Sequence, residues 1–402
     1  MEPLHLAYAV VGLCGIVLAL GSRRLRELPI TEPLVVMALG VLLGPYVLGT
    51  LELSTHQRDL LLLEGSRLLL AWSVMAAALR FPATELRSLI RPAVLLLAVV
   101  MPVMALVAGG AAVLLGFPLA LALLLGACLS PTDPVLAASV ISGEPAERDL
   151  PTRLRKVVTV ESGANDGLAL PLVGLMLAAV LPATGLWEAA GRLAWEVLGG
   201  AAIGLVAGAG AGWLIDLAVR RNLLSRGPEL VFTLLLAVAA LGLARVAGTA
   251  GVLAVFVAGL AYNRVVGEDP RVAQEGIDEA VNRYAVLPLF LVLGLVLPWR
   301  QWWELGPMAL IFVLMVLLAR RLPVVFALAR PLRLRPRDAA FLGWYGPMGV
   351  SALFYLAHAM HEGVEDPRFF AAGSLMVAVS VVVFGVTAVP GRRLYARSAG
   401  GS

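Results

Sequence analysis

Three carboxylates stand where a chain this apolar offers them little water. Asp133, Glu161 and Asp166 lie between Gly126 and Pro171, a stretch reading GACLSPTDPVLAASVISG, a short charged turn, then LRKVVTVESGANDGLALP. Ionisable groups held in hydrocarbon cost several kcal/mol, so they persist where they face a protein interior, pair, or bind something. On a helix of about 3.6 residues per turn, Thr159, Ser162 and Asp166 share one face, and Glu161 and Asn165 share a neighbouring one. Asp166, followed by Gly167 and Leu168, is a lone acid in apolar surroundings, where a proton and a cation compete to neutralise it. One group that binds either, never both, is sufficient for exchange. The hydroxyls of Thr132 and Ser162, with backbone carbonyls freed near Thr132, supply the hard oxygen ligands of a small alkali cation. A second buried acid needs a different account. Glu161 is expected to form a structural ion pair with Arg320, with Arg321 as the competing partner.

The elements that must hold these groups are membrane helices. In 402 residues the chain is 60% hydrophobic and 14% charged, with a mean hydropathy of +0.90, whereas soluble domains carry roughly a quarter charged residues. Apolar runs lie at about 4–21, 29–49, 60–80, 92–116, 118–142, 154–181, 190–219, 229–247, 249–264, 277–298, 305–328, 339–361 and 369–391. Their length predicts an all-α polytopic membrane protein of about thirteen helices, not an outer-membrane barrel. The first run has its positive charges after it and no small-residue cleavage site, so it reads as a span and not a signal peptide. Cys14 and Cys128 sit in apolar runs and form no disulfide framework or metal motif.

Basic residues set the orientation. Loops after odd-numbered runs carry Arg23, Arg24 and Arg26; Arg87 and Arg91; Arg148, Arg153, Arg155 and Lys156; Arg220, Arg221 and Arg226; Arg264 and Arg271; and Arg330, Arg333, Arg335 and Arg337. Loops after even-numbered runs hold scattered ones such as Arg58, Arg300 and Arg368. With Arg392, Arg393 and Arg397 after the last run, the bias predicts an external N-terminus and a cytoplasmic C-terminus; the membrane is expected to be a prokaryotic inner or plasma membrane. The net charge of +4 arises in these loops, which meet lipid headgroups, and no basic stripe with interleaved aromatics suggests nucleic acid.

Two of the runs are interrupted at matching positions. The fifth breaks at Ser130-Pro131-Thr132-Asp133-Pro134 and the twelfth at Gly343-Trp344-Tyr345-Gly346-Pro347-Met348-Gly349, each the middle of a triplet of runs. Proline removes a donor and clashes with the preceding turn, so each break frees backbone groups near mid-membrane. Paired breaks in two halves are the signature of inverted-repeat transporters with a site at the midplane. Two crossing broken helices bring dipole ends together, which Asp133 can compensate.

Four motifs on these runs carry a resemblance. The TDP of the fifth, the ES-x-x-ND of the sixth (Glu161, Ser162, Asn165, Asp166), the LAR of the eleventh (Leu318 to Arg320) and the GW-x-GP-x-G of the twelfth occur in order over nearly the whole chain. Together they resemble the monovalent cation/proton antiporter superfamily, in its Asn-Asp branch of bacterial sodium/proton antiporters and mammalian sodium/proton exchangers. The resemblance implies an electroneutral Na+/H+ antiporter and no enzyme, working as an elevator in pH homeostasis, without cofactor beyond the transported sodium (or potassium or lithium) and protons. Ion and proton binding would fall to Asp166, helped by Thr132, Asp133 and Ser162 and supported by Asn165, with Asp166, Thr132 and Ser162 as the ligands of the monovalent cation. Glu161 would pair with Arg320, and Gly346, Pro347, Met348 and Gly349 would form the broken-helix wall.

The implied domains are an interface domain at 1–90 and 223–300 that forms a homodimer, a core transport domain at 91–183 and 301–398, and a linker helix at 184–222. Many relatives have arginine where Met348 stands, and Tyr345 is also less typical, so pH response or ion preference is expected to differ. A potassium/proton antiporter is the nearest alternative, and a transporter-derived sensor without turnover, or an intramembrane hydrolase, would be readings of another class. The hydrolase lacks a Ser/His or paired-Asp arrangement, and no output domain for a sensor is expected. Outside the site, His358, His361 and Glu362 suggest a solvated or pH-sensing external cluster more than a metal triad. Glu64 and Arg67 suggest a salt bridge, and the small residues from Gly204 to Gly212 close helix packing.

Overall fold

A computed structural model describes residues 2–21, 24, 28, 30–79, 86–181, 186–223, 226–266 and 283–400. Arg23, Arg26 and Arg271 of the basic loops, and the first part of the tenth apolar run, lie outside the described residues. Among those described the chain is entirely helical, and every predicted apolar run contains helix. Among the described residues, six helices are individually long and apolar enough to cross a membrane.

In chain order, α1 is Glu2–Leu20, α2 Glu32–Leu43, α3 Thr55–Leu79 and α4 Arg91–Val113. The fifth run is split into α5, Leu119–Cys128, and α6, Pro134–Ile141. The long α7, Thr152–Val180, is followed by α8, Ala190–Arg220, α9, Arg226–Val246, α10, Gly251–Val265, and α11, Leu287–Val296. The eleventh run is α12, Met308–Ala319, and α13, Leu322–Ala327. The twelfth is α14, Pro336–Trp344, and α15, Val350–His361; α16, Pro367–Gly400, closes the chain and takes Arg392 and Arg393 into its last turns.

Local sequence explains both predicted interruptions. After Cys128 the prolines at 131 and 134 prevent helix from continuing, and Asp133 caps α6 by accepting from the Leu136 amide at 2.8 Å, with Pro134 at the first helical position. In the second, Pro347 follows Gly346, and helix resumes only after Gly349. A third interruption was missed. The run at 305–328 bends at Arg320 and Arg321 because Pro323, in the first turn of α13, removes a donor and disfavours helix before it.

Packing gathers α4 to α7 and α12 to α16 around one large apolar core. On its flank, α8 lies along α10, and α10 against α3. Gly204 and Gly208 meet Ala254 and Ala258 so closely that an added methyl would strike those residues' carbonyl oxygens, which is the close packing their spacing predicts.

Candidate functional site

The two broken helices cross at their breaks. The Asp133 amide donates to the Pro347 carbonyl at 2.7 Å, and the Asp133 carboxylate reaches both resumed helices. Its Oδ1 accepts from Leu136 in α6 and its Oδ2 from the Val350 amide at 2.5 Å, the first residue of α15. One buried charge thus faces two positive helix ends. The negative ends receive the opposite treatment. Arg320, buried, donates from Nη1 to the Leu129 carbonyl at the end of α5 and from Nη2 to the Gly346 carbonyl beyond α14.

Arg320 is therefore not the partner of Glu161, and the expected pair is corrected. Glu161 is held by Arg321 through two parallel bonds, Nη1 to Oε1 at 2.5 Å and Nη2 to Oε2 at 2.6 Å, with 2% and 3% of the two side chains exposed. Arg321 Nε also donates to the Leu342 carbonyl at 2.8 Å. The bend between α12 and α13 sends adjacent arginines in different directions, one to the broken ends and one back to α7. Pro323 was the available signal, since a straight helix gives no reason to prefer either residue.

Asp166 lies on α7, fully buried, and among the described residues neither of its carboxylate oxygens has a hydrogen-bond partner. Its backbone carbonyl accepts from the Tyr355 hydroxyl of α15 at 2.5 Å. The adjacent Asn165 donates from Nδ2 to the Thr132 hydroxyl at 2.7 Å and leaves its Oδ1 unpartnered. Ser351, also fully buried, lies beside the Asp166 carboxylate, and among the described residues its Oγ has no hydrogen-bond partner. Buried polar atoms are almost always paired, so this cluster of unpaired oxygens marks a binding position. Its chemistry, one carboxylate with neutral amide and hydroxyl oxygens, suits a hard monovalent cation or a proton.

The remaining expected residues fall nearby. Ser162 donates to the Thr159 carbonyl at 3.3 Å and, with Thr159, Ser73, Ser139, Glu32 and Arg283, lines a cavity of about 80 Å³ that ends one helical turn from Asp166. Met348 is fully buried, and the amide freed at the break donates to Ser380 Oγ at 2.7 Å. Tyr345 ties the break to α16 by donating to the Thr387 carbonyl at 2.5 Å. Sequence reasoning missed Ser351, Tyr355 and Ser380. A hydroxyl four residues before Tyr355 on the same helical face was the one available clue.

At the other end of α7 a second cavity, about 560 Å³, is lined by Arg67, Arg192, Arg245, His358 and Glu362. Arg67 pairs with Glu64 as their spacing suggested, and Arg192 bridges Glu196 at 3.1 Å and Glu362 at 3.5 Å. His358 faces this cavity, 3.9 Å from Glu362, while His361 is exposed.

Comparison with known proteins places the geometry. The family profile described as "Sodium/hydrogen exchanger, transmembrane" matches residues 9–391. Na(+)/H(+) antiporter 2 of Zygosaccharomyces rouxii is 32% identical over 374 residues, covering 87% of this chain and 45% of that protein. The K(+)/H(+) antiporter NhaP2 of Shewanella oneidensis is 27% identical over 278 residues, covering 68% of this chain and 47% of that one. The chain spans about half the length of the first relatives it matches. Among solved structures, the sodium proton antiporter MjNhaP1 from Methanocaldococcus jannaschii shares the fold, with a TM-score of 0.72 at 17% identity over 99% of this chain and 98% of that one.

Proposed function

The chain belongs to the sodium/hydrogen exchanger transmembrane family, and from that premise we propose that it is an integral membrane antiporter exchanging sodium for protons through Asp166. The observation that carries the reading is the pair of unpartnered, fully buried Asp166 oxygens at the crossing of two broken helices. Asp133 is engaged by two backbone amides and Glu161 by Arg321, which leaves Asp166 as the acid free to exchange. A cation arriving through the cavity at Ser162 displaces the proton from the carboxylate, with Thr132, Ser162 and Asn165 supplying neutral oxygens around it. On the other side a proton displaces the cation.

Coupling follows from charge. With a cation or a proton aboard, the site crosses the apolar seam neutral, and crossing empty would drag a bare carboxylate through it at a cost of several kcal/mol. One charge moves each way, so the exchange is electroneutral. In this reading 91–183 and 301–398 form a core that slides as an elevator against 1–90 and 223–300, with 184–222 as linker, and the flank forms a homodimer among membrane lipids. In the same reading the basic loops face the cytoplasm, which would put the C-terminus there and the N-terminus outside. Because similar proteins come from fungi, bacteria and an archaeon, similarity does not select a prokaryotic membrane. Potassium is the second cation to consider, on the likeness to NhaP2, itself described as a K(+)/H(+) antiporter.

The test is transport. Protein reconstituted in vesicles is expected to dissipate a proton gradient on addition of sodium or lithium, equally with and without a membrane potential, and Asp166→Asn is expected to abolish this while folding normally. Wild type inert toward sodium, lithium and potassium from mildly acidic to alkaline pH would overturn the reading.

A further inference from the structure

We infer that Ser351 is a further oxygen ligand of the transported cation and sets its preference for small ions, completing from the second broken helix a site whose other ligands come from the first and from α7. This rests on cation exchange at Asp166.

Two fixed points hold Ser351 in place. The residue before it, Val350, gives its amide to Asp133, and the residue one turn after it, Tyr355, gives its hydroxyl to the Asp166 carbonyl. Residues at i and i+4 share a helical face, so Ser351 points toward α7 at the level of Asp166. Its hydroxyl is fully buried and without a hydrogen-bond partner.

Several other buried serines behave differently. Ser66, Ser130 and Ser374 each donate to a carbonyl about one turn back, and Ser380 accepts from the Met348 amide. That outlet is ordinary for helical serine. At Ser351 it is absent for a structural reason. The residues three and four back, Met348 and Pro347, lie in the non-helical break, where no helical turn presents their carbonyls to Ser351, and the Pro347 carbonyl accepts from the Asp133 amide. The break therefore leaves the hydroxyl of Ser351 with its lone pairs available beside Asp166.

A neutral hydroxyl at this point does two things. In the cation-loaded state it gives a hard oxygen to the ion opposite the Thr132 and Asn165 side. It also narrows the space between α7 and α15, which favours a smaller ion over potassium. A methyl in its place removes one ligand and widens the cage.

Vesicle exchange by wild type, Ser351→Ala and Ser351→Thr, together with thermal unfolding of each purified protein in rising sodium or potassium, decides the matter. The sodium concentration for half-maximal exchange is expected to rise about tenfold in Ser351→Ala, the equilibrium equivalent of one lost charge-assisted contact. The potassium value should change less, and Ser351→Thr should recover most of the sodium affinity. Unchanged half-saturation and sodium-to-potassium ratio in Ser351→Ala, with wild type active, would overturn the inference and leave the antiporter reading intact. Equal losses in the Ala and Thr variants would also overturn it, since packing and not the hydroxyl would then be responsible. If wild type does not exchange, the antiporter reading fails, and sodium stabilisation of wild type that persists in Ser351→Ala then rejects the ligand role separately.

Discussion

Asp133, Glu161 and Asp166 share burial and charge type, and differ in what their oxygens touch. Asp133 is satisfied by backbone amides, Glu161 by a guanidinium, and Asp166 by no hydrogen bond. The consequence is a division between strut and working group that can be measured. Glu161→Gln leaves Arg321 buried without its counter-charge, and breaking a buried pair in this way costs about 3–5 kcal/mol. Chemical unfolding in detergent should show that loss, with cation half-saturation changed far less. Equal stability with selectively weakened cation binding would instead make Glu161 part of the ion site. The motif containing Glu161 and an arginine on the eleventh run was legible, but which of two adjacent arginines it meets was not, because a bend of the backbone decides the direction of each side chain.

At the scale of elements, the crossing depends on how near two backbones come. A methyl on Gly349 would lie 2.5 Å from Asp133 Oδ2 and 2.8 Å from its Cγ, so only glycine lets the carboxylate reach the start of α15. Gly349→Ala is expected to push the two broken helices apart, at about 1–3 kcal/mol for overpacking a filled site. It should also reduce exchange much more than an Ala substitution at the lipid-facing Leu310, which is 64% exposed. Measuring transport rate and melting temperature for both variants checks this. The same crossing explains why a buried methionine is tolerated at position 348. Its amide is satisfied by Ser380, and the Gly346 carbonyl freed near it is served by Arg320 from the bend after α12. Both breaks were readable from Pro and Gly. The Arg320 bridge between their carbonyl ends was not, since nothing local in sequence says that residues 129 and 346 meet.

Across the whole molecule, two cavities flank Asp166 along α7, one reaching Ser162 and the other lined from Leu170 onward. Near the end where the first cavity lies, Asp149 joins Arg392 of α16 at 3.0 Å, tying the short helix Glu144–Asp149 after α6 to the last helix. Burial works against the Asp149 charge, but hydrogen bonds and charge from Arg148 and Arg392 outweigh it and hold the carboxyl below the ordinary aspartate range. A depressed carboxyl stabilises the fold above its unfolded value, and that contribution is lost as pH falls through the folded one. Asp149→Asn should therefore lower the melting temperature at neutral pH, and the gap to wild type should close in strong acid. A gap unchanged with pH would show that the charge is not what this clamp uses.

Order along the chain was enough to establish the membrane class, the paired breaks and the acids between them, because hydropathy, proline and charge act locally and register within a few residues. Partners were another matter. That Glu161 meets Arg321, that Arg320 closes two helix ends, and that Ser351 stands open beside Asp166 all depend on segments far apart in sequence meeting at a crossing, where angstrom-scale packing chooses among groups that composition makes equivalent.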